Sequence, residues 1–575
     1  MNLKKIITKD IENSLIKIGI INCNPIVILN KKITLGHYQL NNLIKISNML
    51  NIKPYEMFKT IIVNIKKKSM YKSITFSQPG FINIFIDENW ISEQLEKIFF
   101  SSRLGINYVK SPKNIVIDYS SPNIAKEMHI GHLRSTIIGD VTARILDFLG
   151  HNVIRANHIG DWGTQFGMLI AYLENKKLEN YNLSLMQLEK CYCKAKKKYD
   201  ADQLFAEKSR EYVVKLQNGD QYCRSIWKKL VSITMLENYN IYKKLNVTLK
   251  ESHTMGESVY NKMLPDIIRD LKNKKIATKK NGAIIVFLQE FKNRSGEPMG
   301  VVIQKKDKGF LYSTTDIACF KYRYQELHAD RIIYYTDSRQ HQHLIQTWTI
   351  AKKANYISQD FLLEHHTFGM ILSKNKRPFK TRDGNTIKLS ALLDEATERA
   401  IYLIKNKKPN LPKKKWIPLA KVIGISAVKY ADLSKNRSTN YIFDWDEMLN
   451  FEGNTAPYIQ YAYTRIISIL KKSIIPVNKL TEKILLKKES EINLAIKILE
   501  FEEIIVSISE KGTPHILCKY LYQLATIFSN FYEKCSILFS KKIKTCKSRL
   551  KLSILTARTL KKGLNMLGIK VVKKM

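Results

Sequence analysis

Apolar positions change their spacing several times along the chain. Up to about residue 110 they recur every three or four positions over 11–20, 40–50 and 55–65, which predicts amphipathic helices. Short apolar runs over 26–29 and 81–86 predict strands, with Pro79 and Gly80 punctuating between elements. This first stretch reads as a small α/β unit. A polar link, Ser111-Pro112-Lys113-Asn114, leads into the apolar run 115–119, interrupted only by Asp118, the mark of a buried parallel strand. A turn over 120–123 follows. From His129 a helical spacing puts Leu133, Ile137, Ile138, Val141, Ile145 and Leu149 on one face, and Gly150 stops it. Residues 152–156 read as the next strand. Strand, helix and strand make a βαβ unit, the building block of nucleotide-binding parallel sheets.

Beyond it, 185–275 reads as charged helix, and 283–288 and 300–304 as paired strands about a turn at 293–296. The buried-strand pattern returns at 330–335 and 367–372. A helix is expected over 391–404, then a basic connector over 405–415 containing Pro409 and Pro412, and almost unbroken helix from 417. The predicted fold class is α/β. A small α/β domain (1–110) precedes a Rossmann-like parallel-sheet domain (111–416) with a helical insertion at about 185–275, and an all-helical domain (417–575) closes the chain.

With 575 residues, three or four domains are expected at roughly 100–200 residues each. Charge adds a constraint: 95 Lys and Arg against 51 Asp and Glu give +44. Such a field attracts polyanions. Yet 77 of the basic residues are Lys, 18 are Arg, and none of the Arg precedes Arg103. Lys, Ile and Asn are abundant everywhere, so compositional bias alone would spread Lys over every solvated face. No apolar run reaches the roughly 18–20 residues of a membrane span, and residues 1–20 carry neither a secretory signal nor a transit peptide pattern. Eight scattered cysteines without a C-x-x-C pair argue against a zinc ribbon and fit a reducing cytoplasm.

The strongest chemical signal is His129-Ile130-Gly131-His132 at a helix start after a strand. Two imidazoles three apart at a positive helix end can donate to phosphate oxygens, and Gly131 leaves room for a flat base or ribose. Four such letters out of context read more readily as two packing histidines; the order strand, turn, helix tips the reading to nucleotide binding.

Around these histidines the segment Ser121-Pro122-Asn123-Ile124-Ala125-Lys126-Glu127-Met128 through His132 and on to Thr136 resembles the signature of arginyl-tRNA synthetases of bacterial type, class I aminoacyl-tRNA synthetases. The likeness continues at 157–167, 311–318, 337–343, 432–437 and 451–458, and so spans essentially the whole chain. It implies an ATP-dependent ligase that joins L-arginine to its tRNA through arginyl adenylate, releasing AMP and pyrophosphate. It also implies Mg²⁺ carried by ATP, no protein-bound metal, no membrane, and a cytoplasmic monomer.

By resemblance, residues 122–132 bind ATP, and Lys126, His129, Gly131 and His132 serve the chemistry. The usual K-M-S-K loop is missing; 374–384 stands in its place, where Lys380 is the counterpart lysine and Lys126 supplies positive charge. Either lysine can act as a flexible point charge on a phosphate. Arginine falls to Asn123 at its amino or carboxylate end and to Tyr312, Asp316 and Gln340 in the side-chain pocket, with Asp118 nearby. A guanidinium is a rigid fork of donors, so an anion and flat acceptors suit it and leave lysine poorly matched. Tyr312 and Asp316 are four apart and share a helix face; an acid on a strand such as Asp118 is more often solvent-facing or simply paired. His341 and His343 lack a third ligand and do not suggest a metal.

The C-terminal third resembles a helical anticodon-binding domain, in which Tyr458, Tyr461 and Arg465 offer rings and a cation to unstacked bases. The first 110 residues resemble the domain that contacts the outer corner of tRNA. Two alternatives remain: another nucleotidyl transferase forming an acyl adenylate without RNA, and a non-catalytic RNA-binding relative.

Overall fold

The computed structural model describes residues 2–21, 23–30, 33–65, 68–177, 183–379, 386–407, 411–540, 542–572 and 574–575. Lys380 and Arg382, and with them the whole of 380–384, lie outside the described residues.

The first helix, Leu3–Ile16, starts where the Asn2 side chain accepts from the Lys5 amide, and it buries Leu3, Ile7, Ile11 and Leu15. Helical spacing therefore extends further toward the N-terminus than expected. A four-stranded antiparallel sheet packs beside it, in the order Val27–Leu29, Tyr38–Leu40, Phe81–Ile86, Tyr71–Ser77. Leu40 ends a strand rather than opening a helix; the helix there is Leu43–Asn48.

The helix Glu88–Phe100, capped by Asp87, carries this domain onto the C-terminal helices Glu489–Leu499 and Ile543–Met566. There Lys551 meets Glu96 at 2.7 Å and the Arg558 guanidinium donates to the Phe99 carbonyl at 2.6 Å.

The central sheet is parallel throughout, ordered Leu363–His365, Arg331–Tyr334, Asn114–Asp118, Asn152–Ala156. The edge strand is Leu363–His365 and not 367–372. Its polar sequence gives no apolar run, because Glu364 faces Arg331, which donates to it at 2.7 Å through one amino group. Ile371–Leu372 pairs instead with Tyr441–Ile442.

The helix Ile130–Leu149 follows the first strand of this sheet, and Gly150 closes it at φ 93°, as a left-handed helix stop requires. All six residues of its expected apolar face are buried. The chain crosses to the opposite side of Asn114–Asp118 only after the helices Leu185–Ala201, Gln203–Gln217, Gln221–Lys244 and Leu264–Asn273 and an antiparallel sheet of three strands (Thr278–Lys280, Ala283–Lys292, Pro298–Gln304). Strand order thus reverses at Asn114–Asp118, and ligands of open parallel sheets sit outside the carboxyl ends of strands at that point. The helix Lys413–Leu433 runs across the expected boundary at 416/417, and the last third is the bundle of Ala456–Lys472, Glu489–Leu499, Phe501–Lys511, His515–Lys534 and Ile543–Met566.

Candidate active site

At the switch point a cavity of about 380 Å³ opens between the strand ends. Asp118, Asn123, Tyr312, Asp316 and Gln340, separated by up to 222 residues in sequence, all line it. Tyr312 opens the helix Tyr312–Gln325 and is 59% exposed, and one turn on Asp316 holds the His343 imidazole at 2.6 Å. That contact holds the His343 pKa above its usual value, so His343 helps fix the orientation of the carboxylate. Asp118 is differently placed. Its carboxylate is buried and receives the fully buried Arg323 guanidinium at 2.7 Å and the Ser121 hydroxyl at 2.9 Å.

A third carboxylate lines the cavity, one that carries no signal in the sequence: Glu257. Burial, with Asp316 and Asp161 close by, pushes its pKa up to about 8. Asp161 sets its position by accepting from the Ser258 amide at 2.9 Å and the Ser258 hydroxyl at 2.7 Å, while the Glu257 amide donates to the Ile159 carbonyl at 3.2 Å. A side chain on Gly256 would collide with the Asp161 carboxylate, which explains a glycine there. Trp162 beside it packs edge-on against Trp227 of the insertion.

The signature segment leaves the first strand through a strained turn. Ser120, Ser121 and Ala125 have φ of 75°, 46° and 63°, a region that non-glycine residues enter at a cost of about 1–3 kcal/mol. Side chains from elsewhere hold these three amides: Ser135 Oγ at 2.9 Å, Asn157 Oδ1 at 3.1 Å and Thr234 Oγ1 at 3.1 Å. The side chains of Pro122, Ile124, Ala125, Met128 and Ile130 are buried, so any contact they make with a nucleotide runs through the backbone. Asn123, Lys126, Glu127, His129, Gly131 and His132 keep accessible surface. Glu127 pairs with Lys388 at 2.7 Å. The Lys126 ammonium lies over the Tyr192 ring, 4.6 Å from its centroid.

The helix amides themselves are spent. His129 N–H donates to His132 Nδ1 (3.1 Å), Ile130 N–H to the Ile387 carbonyl (2.9 Å), Gly131 N–H to His129 Nδ1 (3.1 Å) and His132 N–H to the His129 carbonyl (2.9 Å). An anion here is therefore met by side chains rather than by the free amides usual at a helix N-terminus. Each ring accepts at Nδ1, which puts its proton on Nε2 as a donor. The rings lie 4.0 Å apart. Burial and mutual proximity bring His132 down to about 3, and burial with Lys126 lowers His129, so both work as neutral donors. Gly131 is needed because a Cβ would sit 2.8 Å from the His129 ring.

Three family models match successive parts of the chain: the arginyl tRNA synthetase N terminal domain over 1–86, the catalytic domain of tRNA synthetases class I (R) over 94–445, and the DALR anticodon binding domain over 459–575. The chain belongs to the arginyl-tRNA synthetase family. It is 81% identical over 575 residues to the arginine–tRNA ligase of Buchnera aphidicola subsp. Acyrthosiphon pisum (strain Tuc7), with all of both chains covered. It is 53% identical over 577 residues to that of Cronobacter sakazakii, again over the full length of each. Among solved structures, the arginyl-tRNA synthetase of Plasmodium falciparum superposes with a TM-score of 0.87 at 34% identity, covering 100% of this chain and 99% of that one.

On the helix Ala456–Lys472, which leads into the part matching the DALR domain, Tyr458, Tyr461 and Arg465 line up along one face. Tyr461 is 46% exposed and borders an apolar cavity of about 330 Å³ with Leu403, Ile423 and Met575. Tyr458 leans on Tyr522 at 5.4 Å, and the Arg465 guanidinium lies 4.5 Å from the Tyr532 ring. Among the described residues no group of three His, Cys, Asp or Glu side chains is placed to hold a metal ion, and no helix is long and apolar enough to cross a membrane.

Proposed function

We propose that arginine enters the switch-point cavity with its guanidinium between Glu257 and Asp316, flanked by Tyr312 and Gln340, and its α-amino and carboxylate end toward Asn123. The observation that carries this reading is Glu257 and Asp316 in one 380 Å³ cavity, the first with no hydrogen-bonded cation among the described residues and the second turned by a histidine. The fork of the guanidinium satisfies both. The reaction is the ATP-dependent attachment of arginine to tRNA.

The α-carboxylate attacks the α-phosphorus of ATP and pyrophosphate leaves. The ribose hydroxyl of the terminal tRNA adenosine then attacks the adenylate carbonyl and AMP leaves. His129 and His132 donate through Nε2 to phosphate oxygens as charge grows on the leaving group, and Lys126 adds a mobile positive charge. Lys380 belongs to the same reading as the counterpart lysine. Mg²⁺ comes with ATP, held by phosphate oxygens and water.

Tyr461, with Tyr458 and Arg465 behind it, offers the apolar cavity beside Met575 to an anticodon base. Eight unpaired thiols suit the cytoplasm. We divide the chain into a tRNA-contacting N-terminal domain, a catalytic domain and an anticodon-binding domain, with the last boundary beyond the helix Lys413–Leu433 rather than within it at 416/417.

ATP–pyrophosphate exchange with arginine, run with and without cognate tRNA, tests the reading. Exchange is expected only with arginine and tRNA together. Exchange driven by another amino acid, or none with cognate tRNA, overturns it.

A further inference from the structure

Lys126 is exposed, has no acidic partner among the described residues, and carries its charge on a flexible four-carbon stem. Freezing such a stem costs rotamer entropy, and a charge that acts on a developing leaving group works best when it is in place beforehand. One ring puts it there. The ammonium lies 4.6 Å from the centroid of Tyr192. It is also near enough to His129 to be, after burial, the second influence that lowers that imidazole's pKa. The ring therefore seats the ammonium beside the phosphate-donating histidines.

Tyr192 is no part of the signature. It stands 66 residues beyond Lys126, on the insertion helix Leu185–Ala201. That helix starts where the Ser184 hydroxyl accepts from the Gln187 amide at 3.3 Å. Leu188 and Ala195, four before and three after Tyr192, share its face. Both are buried in one apolar cluster with Ile124 and Ala125 of the signature, and the half-buried Tyr192 ring packs against that cluster.

A second attachment comes from the same face. Glu189, three residues before Tyr192, reaches Lys388 at 3.4 Å, and Lys388 pairs with Glu127 at 2.7 Å. Lys126 and Glu127 are adjacent in the chain, so one helix face holds both, the first through a ring and the second through a bridging lysine. The Glu189 bridge is long and partly exposed, which makes it a weak tie. The ring does something no carboxylate could. An acid beside Lys126 would neutralise the ammonium and compete with phosphate. A ring face holds the charge without cancelling it and leaves the N–H donors for phosphate oxygens.

We propose that Tyr192 is a positioning residue for adenylate formation: its ring seats the Lys126 ammonium beside His129, and the insertion helix that carries it is thereby docked on the signature segment. The inference rests on the aminoacylation reading, which gives Lys126 its work on ATP.

The test uses the full chain with arginine, ATP, Mg²⁺ and cognate tRNA, and follows single-turnover adenylate formation. Tyr192→Phe keeps the ring and is expected to stay within about twofold of wild type. Tyr192→Leu keeps apolar bulk and loses the ring, so the rate should fall roughly 5- to 30-fold, the span of a partly desolvated cation–π contact. Tyr192→Met, a second ringless variant and a good helix former, should match it. Lys126→Met should be slower than wild type, and adding Tyr192→Leu to it should change nothing further, because the ring acts through the ammonium. Tyr199→Leu is the control. Tyr199 lies on the same helix, packs on the same cluster and has the Lys196 ammonium 5.5 Å from its ring, but that lysine is outside the signature. It is expected to leave the rate at the wild-type value. Equal losses in Tyr192→Leu and Tyr199→Leu would assign the effect to helix packing and overturn the proposal, as would a loss from Tyr192→Leu that persists in full beside Lys126→Met. An unchanged rate in both ringless variants overturns it, and so does a faster one, which would make the ring a brake on Lys126. Lys126→Met that reacts at the wild-type rate would instead fail the role given to Lys126 in the aminoacylation reading, a separate outcome, and the proposal would fall with it.

Discussion

The carboxylate of Asp118 is closed on the guanidinium of Arg323 at 2.7 Å, and both side chains are buried at the end of the central strand. An acid so engaged supports the floor of the arginine cavity rather than greeting a ligand. Removing one partner of a buried pair strands the other charge, at about 3–5 kcal/mol. Asp118→Asn is therefore expected to lower the denaturation midpoint strongly, with arginine KM changed only as folded enzyme is lost. Denaturant unfolding beside steady-state kinetics checks this. A KM increase at full stability would place Asp118 on the substrate instead.

Glu257 carries the opposite expectation. With its pKa near 8, it is mostly protonated at neutral pH until a guanidinium arrives. Because the raised pKa favours the neutral form, arginine binding should strengthen as pH rises, by up to tenfold per unit below about 8. Each binding event should also expel a proton, readable by titration calorimetry in buffers of different ionisation enthalpy. Glu257→Gln should weaken arginine on the order of 10- to 100-fold, flatten the pH dependence and abolish the proton release. A variant that keeps the wild-type pH profile would remove Glu257 from the site.

These two carboxylates show what could be read from sequence and what could not. Asp118 ends an apolar run that announces a buried parallel strand, and Tyr312, Asp316 and Gln340 sit in local motifs that carry their own context. Glu257 lies in Gly256-Glu257-Ser258, a tripeptide without local signal, and acquires its place only when Asp161, ninety-six residues earlier, grips Ser258. The strand Leu363–His365 escaped for a related reason: its middle residue is a glutamate that pairs with Arg331, so hydrophobic spacing is silent there. At the signature, two donor imidazoles were legible in the spacing. That the same imidazoles would consume the helix amides was not, because it depends on rotamers that turn each Nδ1 inward.

That inward turn fixes how the histidines respond to pH and mutation. His132, held near 3, stays neutral throughout the working range, so acidification from pH 8 to 6 should not change the rate through this group. His132→Ala removes the Nε2 donor and the cap on the His129 amide together. Loss of a donor to developing charge costs roughly 10²–10³ in rate. Single-turnover adenylation should fall by about that factor while tRNA affinity measured by filter binding stays at the wild-type value. A loss of tRNA binding in place of adenylation would contradict the assignment.

The buried ammonium of Lys429 makes stability itself depend on pH. Burial pulls its pKa down to about 7, against an ordinary value near 10.4, with Asp140 the opposing influence and Arg144 and Lys570 adding to the fall. Between those two values the unfolded chain holds a proton that the folded chain has shed, so folding stability must rise with pH. Below about 7 both states are protonated and the dependence vanishes. Lys429→Met removes the titrating group along with its bonds to the Leu245 and Gly568 carbonyls. Urea unfolding at steps from pH 6 to pH 10 should therefore show wild type gaining on the variant by up to roughly 1.4 kcal/mol per unit above about pH 7. A difference between the two that stays constant across the series would mean that Lys429 remains charged in the folded protein, held by its two carbonyls alone.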